Sequence, residues 1–267
     1  MNDPGHAVPV RQQVWLILGA AVALYGLLRF VFGPLPQDPA YHLLADSHAR
    51  IGGIPYTANV VTNLAILAAG IFGLSLRPRM TISPDERSAV NVLIAASMLT
   101  AFGSAYYHLA PTNATLIWDR LPIAIVLMSV LALVMADRVH SRYARDALLP
   151  FAALGVAGVI LWGVSEAMGQ GDLLLYLIVR IGTGVGIVLL LILRPPRHTG
   201  TIWLAAAVAC EIVMAALERL DHEVFHLTGG TVSGHNLKHV MAGVALVFVF
   251  WWLRARRMLP VKSGSGL

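Results

Sequence analysis

Eight separate runs of roughly twenty mostly apolar residues dominate this sequence, and a helix needs about 20 such residues to cross the hydrocarbon core of a bilayer. The runs cover 14–32, 59–76, 89–108, 116–136, 148–168, 173–193, 202–217 and 235–253. The breaks between them hold turn formers and charges: Gly33-Pro34-Leu35-Pro36, Arg77-Pro78-Arg79, Pro111-Thr112-Asn113, Gly169-Gln170-Gly171 and Pro195-Pro196. The pattern predicts an all-α fold, a polytopic membrane helix bundle of eight spans. Composition excludes the soluble alternative. Charged residues make up 12% of the 267 and hydrophobic ones 57%, whereas a soluble domain carries about 25% charged residues. The single cysteine, Cys210, excludes a disulfide framework and a multi-cysteine metal site. The net charge of +5 does not indicate nucleic-acid binding, because the basic residues sit between apolar runs and form no stripe.

Orientation follows from the bias of Lys and Arg among short loops. With the N-terminus inside, thirteen of the nineteen basic residues fall in cytoplasmic segments, among them Arg77, Arg79, Arg87, Arg142, Arg145, Arg197, Arg256, Arg257 and Lys262. Arg29, Arg50, Arg120, Arg180, Arg219 and Lys238 fall in outer loops, near outer ends or within a helix. Both termini are therefore expected in the cytoplasm. The first run is long for a signal peptide and ends in Arg29-Phe30-Val31-Phe32-Gly33-Pro34, with no small-x-small cleavage site, so it reads as a retained helix. Ser263-Gly264-Ser265-Gly266 reads as a flexible end.

Ionisable groups within spans are expensive and mark functional candidates. Ser104 and His108 are four apart near the end of the third run, Asp119 opens the fourth, and His235 and His239 are four apart at the start of the eighth. Residues four apart share a helix face, and on this topology all three helix ends lie on the outer side. Three imidazoles with a carboxylate nearby have the composition of a catalytic zinc site, in which three protein nitrogens leave the fourth position to a water. In that site His108, His235 and His239 hold the metal and Asp119 acts as general base. Ser104 holds the carboxylate or donates to a developing oxyanion. A single histidine at a helix end is more commonly an interfacial side chain, and a lone pair four apart also suits haem or helix packing; the convergence of all five residues favours the metal.

The remaining polar residues read as structural. Arg180 and Glu211 lie at similar depth and suit a buried pair between the sixth and seventh spans. Glu218, Asp221, His222, Glu223 and His226 read as a solvated outer loop, and Asn63 as helix-packing glue. Trp203, Trp251 and Trp252 suit interface anchors, and Cys210 a small core residue.

The motif resembles the alkaline ceramidase family, within a wider superfamily of seven-helix membrane hydrolases and receptors. The family pattern is Ser-x-x-x-His, Asp eleven residues on, then His-x-x-x-His near the start of the last helix. It stands here as Gly103-Ser104-Ala105-Tyr106-Tyr107-His108, Asp119, and Ser233-Gly234-His235-Asn236-Leu237-Lys238-His239. Asn59-Val60-Val61-Thr62-Asn63-Leu64 resembles the family's first core helix, and Tyr41-His42-Leu43-Leu44-Ala45-Asp46 and Trp118-Asp119-Arg120-Leu121-Pro122 resemble its bacterial branch. The resemblance implies a seven-helix core at 55–254. One extra N-terminal transmembrane helix and outer loop at 1–54 precede it, and a basic cytoplasmic tail at 255–267 follows. It also implies a Zn2+-dependent amidase that cleaves the N-acyl bond of ceramide or a related N-acyl lipid in the bilayer, with His108, His235 and His239 on zinc, Asp119 activating water and Ser104 assisting. Animal members of the family also bind Ca2+ through acidic residues before the first core helix. Here Asp38 to Tyr56 offers only Asp38 and Asp46, so no calcium site is predicted. Two rival readings remain: a receptor-like protein of the progestin and adiponectin receptor or haemolysin-III type, which shares the motif and whose zinc braces the bundle, and a transporter with Arg180 and Glu211 as a relay, which lacks the inverted repeat common in such folds.

Overall fold

Polar caps, invisible to hydropathy, mark the starts of three of the long helices of this chain. The structure is a computed structural model and describes residues 8–47 and 52–260; Arg50, Lys262 and the predicted flexible end at 263–266 lie outside them. The described residues form eleven α-helices: α1 (Val10–Phe32), α2 (Thr57–Thr62), α3 (Leu64–Leu76), α4 (Arg87–Leu109), α5 (Asn113–Arg138), α6 (Tyr143–Asp146), α7 (Leu148–Ala167), α8 (Leu174–Leu193), α9 (Thr201–Arg219), α10 (Asp221–Leu227) and α11 (Gly234–Ala255). Thr112 and Thr115 form a capping box that starts α5 three residues before its apolar run, and Ser233 and Asn236 form one that starts α11 at Gly234. A third box, Ser83 with Glu86, leads through a 3-10 turn into α4.

Eight helices are long and apolar enough to cross a membrane, with α2 and α3 together making one span. The fold is therefore an all-α polytopic bundle, as the apolar runs predict. The second span is interrupted at Asn63, whose amide donates to the Asn59 carbonyl at 2.8 Å within its own helix. Asn63 is thus a local bend and does not glue two helices together; the interhelical bond belongs to Asn59.

The core helices form a ring in the order α9, α11, α3, α4, α5, α7, α8. Each packs along the next, but α8 and α9, which would close the ring, meet along little of their length. The extra helix α1 lies outside, against α6, α7 and α8, and is docked near one end by Arg29, whose Nε sits 3.0 Å from Asp172. Its outward face, including Trp15, Leu27 and Phe30, is exposed, as suits a helix bathed in lipid.

Antiparallel succession places the loops rich in arginine at one end of the bundle and the histidines at the other. The large apolar core, with Leu93, Leu133, Phe250 and Leu253, sits toward the arginine end. That end is closed by buried ion pairs: Arg256 to Glu86 at 2.7 Å and Arg138 to Asp137 at 3.1 Å. Trp252 is wholly buried beneath the Arg256 guanidinium, 4.7 Å from its ring centre. It is a core residue and not the interface anchor that its position near a span end suggested. Cys210 is buried, as expected of a small core residue.

Candidate metal centre

The histidine end is assembled by two close approaches of backbone. Pro122, inside α5, has no N–H to give the Trp118 carbonyl four residues earlier. A Cβ on Gly103 of α4 would overlap that same carbonyl oxygen, so only glycine lets α4 lie this close to α5. The approach brings Ser104 and Asp119 together on the wall of one cavity. Gly234 likewise admits the Leu217 carbonyl, seating the start of α11 against the end of α9.

Around this frame the ring nitrogens of His108, His235 and His239 lie within 4.8 Å of one another, all three buried. The Nε2 atoms of His108 and His239 are 3.2 Å apart. Two nitrogens bound to one tetrahedral zinc at 2.0–2.1 Å stand about 3.3 Å apart, so the spacing suits a metal. The tautomer of His239 can be assigned from its neighbours. Thr62 Oγ1 lies 2.8 Å from the Ala58 carbonyl and 2.9 Å from His239 Nδ1. A carbonyl only accepts, so the Thr62 hydroxyl donates to it and its oxygen accepts from Nδ1–H. The lone pair of His239 is therefore on Nε2, facing His108 and free for a metal. Sequence reading passed over Thr62, although Asn59 to Leu64 carried part of the resemblance. The buried three-histidine group can hold a metal ion; Asp119 stands apart from it and lines the same cavity as His235 and His239.

The motif of α11 serves two purposes at once. Its histidines face the centre, while Ser233 and Asn236 cap the helix and Asn236 also donates to Asn59 Oδ1 at 2.6 Å and Asp46 Oδ2 at 3.3 Å. Asp46 further accepts from Asn59 Nδ2 at 2.6 Å. Burial pushes the Asp46 carboxyl above the usual carboxylate range, against the pull of these amide donors. Asp38 spends its carboxylate on the Ala40 N–H at 2.8 Å.

Two readings of the surrounding polar residues need correction. Arg180 pairs with Glu218 at 3.7 Å, not with Glu211, because Glu218 lies on α9 two turns nearer the histidine end. Glu218 also accepts from Lys238 at 2.8 Å and Tyr41 at 3.0 Å. Asp221 is buried and takes the backbone N–H of His235 at 2.7 Å and of Ala45 at 2.9 Å. Glu218 and Asp221 thus hold the site together, whereas His222, Glu223 and His226 are exposed as a solvated loop would be.

A cavity runs from this polar end toward the arginine end, lined along α11 from His235 to Val249, a stretch of helix about 21 Å long. Its far half is apolar, with Val130 of α5 and Ile187 of α8. Glu211 both lines the cavity and is exposed, which puts the opening between α8 and α9. Another residue the sequence did not single out is Arg120, which enters this lining from within a ring of aromatic side chains.

Fold and site together define an integral membrane protein of eight apolar helices with a buried three-histidine group that can bind a metal. Comparison with family models, curated proteins and solved structures returned no match.

Proposed function

We propose that this chain is a zinc-dependent intramembrane amidohydrolase that cleaves the N-acyl bond of ceramide or a related N-acyl lipid, giving a free fatty acid and an amine. The observation that carries the reading is a buried three-histidine group, two of whose members, His235 and His239, share with the carboxylate of Asp119 the wall of one long, largely apolar cavity. A site that only braced the bundle has no use for such a cavity. Hydrolysis of a lipid amide needs it, because the acyl chain must stay in apolar surroundings while its carbonyl reaches water and metal.

His108, His235 and His239 would hold the ion, which supplies a Lewis acid and brings the pKa of its water to about 7. Asp119 takes a proton from the attacking water and passes it to the leaving nitrogen, so that water and amide become acid and amine. Ser104 lines the cavity with Asp119, where its hydroxyl holds the carboxylate or donates to the oxyanion as the carbonyl becomes tetrahedral. The lipid enters sideways between α8 and α9. By the bias of Arg among the loops, the cavity's polar end faces the periplasmic side of a bacterial inner membrane and both termini are cytoplasmic.

The test is mass-spectrometric detection of fatty acid released from a panel of N-acyl lipids by purified, zinc-replete protein. Asp119→Asn is expected to abolish release and retain the metal, since Asp119 is not among the three ligating side chains. Release undiminished in that variant would overturn the assignment. No release from any lipid by protein carrying one zinc per chain would turn the reading to a receptor-like protein with structural zinc.

A further inference from the structure

Arg120 follows Asp119 in α5 and is 5% exposed. Its guanidinium carbon lies 4.3 Å from the ring centre of Trp162, 4.8 Å from that of Tyr176 and 5.4 Å from that of Tyr41. Nη2 donates to Gln37 Oε1 at 2.7 Å, while Nη1 is buried with no hydrogen-bond partner among the described residues. None of the ion pairs among those residues includes Arg120. The two other cations of the lining, Lys238 and Arg180, differ in sharing Glu218.

A guanidinium remains charged in any protein environment, and burying it without a counter-charge is costly. The aromatic rings offset part of that cost over the faces of the cation. Rings cannot satisfy donors in its plane; Nη1 is buried with no acceptor among the described residues, and the Arg120 side chain borders the cavity. A planar oxyanion matches the fork of an arginine in both charge and geometry. With no carboxylate paired directly to its donors among the described residues, the fork suits a singly charged acceptor, which favours a carboxylate over a doubly charged phosphate.

The position of Arg120 indicates which part of a lipid bears that carboxylate. The apolar half of the cavity suits the acyl chain, so the amine side of the amide lies at the polar end, with Asp119, Tyr41 and Arg120. We infer that Arg120 binds a carboxylate on the amine side of the substrate, and that the preferred substrates are N-acyl amino acids. The position of the amide rests on the amidohydrolase reading; the carboxylate site itself does not.

The experiment compares binding of N-palmitoylglycine, N-palmitoylethanolamine and palmitate to the purified full-length protein in neutral detergent, followed by tryptophan fluorescence. The first two share chain and amide and differ in the carboxylate. The wild type is expected to bind the glycine conjugate about tenfold tighter or more, the scale of a hydrogen bond to an ionised partner. Arg120→Gln is expected to erase that preference, and Arg120→Lys to restore only part of it, because the charge returns without the fork. Equal binding of glycine conjugate and ethanolamide by the wild type overturns the inference, and that comparison stands even if both variants fail to fold. Palmitate bound as tightly as the glycine conjugate, with the same dependence on Arg120, overturns the placement on the amine side. Hydrolysis of the same panel separates the two readings. Equal kcat/KM for glycine conjugate and ethanolamide sinks this inference and leaves the hydrolase. A carboxylate preference in binding, with no lipid hydrolysed, sinks the hydrolase and leaves the carboxylate site.

Discussion

A single hydroxyl sets the chemistry of His239. Thr62 accepts from Nδ1, and without it the imidazole is free to rotate or to protonate the other nitrogen. Thr62→Val keeps the shape and removes the acceptor. It is expected to weaken zinc binding roughly 10- to 100-fold, the usual cost of losing such an orienting partner. Competition with a chelator at fixed pH measures this, and unchanged affinity would show that packing alone orients the ring. The contrast between Thr62 and His239 also marks what the sequence discloses. His108, Asp119, His235 and His239 were legible because ionisable residues are rare in membrane spans, and Ser104 because it stands one helical turn before His108. Thr62 was not, since a threonine in a span commonly bonds its own helix, as this one also does through Ala58. Arg120 was hidden for another reason. Its ring of Tyr41, Trp162 and Tyr176 is drawn from three distant segments, and no local spacing announces contacts of that kind. By sequence it was one more arginine near an outer end.

At the scale of the element, helix ends and glycines do what apolar periodicity cannot. Hydropathy located all eight spans, yet it placed the start of α5 at 116 and missed the Thr112 cap, because capping residues are polar. The same blindness made Glu218 and Asp221 read as loop, although one lies in α9 and the other opens α10. The most sensitive contact between elements is the crossing of α4 and α5 at Gly103. The carbonyl that a Cβ would strike belongs to backbone, which cannot swing aside as a flexible side chain can. Gly103→Ala must therefore force the helices apart, and overpacking of this kind costs about 1–3 kcal/mol. Separation also draws Ser104 from Asp119. The expected outcome is a lowered Tm together with a loss of lipid hydrolysis larger than the fall in folded protein accounts for. Gly182→Ala is the control: its added Cβ meets nothing within 4 Å, and the exchange is expected to leave Tm unchanged or raise it, since alanine favours helix by about 1 kcal/mol.

For the whole molecule, the incomplete ring is the feature that the hydrolase reading relates to a substrate. Seven helices that closed fully would seal the histidines from the bilayer; the parting of α8 from α9 leaves an opening, and exposed Glu211 marks it. The cavity then descends past Gly184 of α8, where an added Cβ would meet nothing within 4 Å. Helix interiors disfavour glycine by about 1 kcal/mol relative to alanine, so the absence of a side chain here costs stability and leaves room. Gly184→Leu is expected to fold with a Tm at or above that of the parent and to fill the cavity part-way along. Acyl chains that stop short of Gly184 would still seat with their amide at the metal, while longer ones would be held out. A series of N-acyl lipids of increasing chain length should therefore show a new upper limit in fatty-acid release, with short-chain kcat/KM retained and zinc content unchanged. A chain-length profile identical to the parent's would mean that the acyl chain does not use this cavity. The opening between α8 and α9 would then need another purpose, and lateral entry would have to be sought elsewhere around the ring.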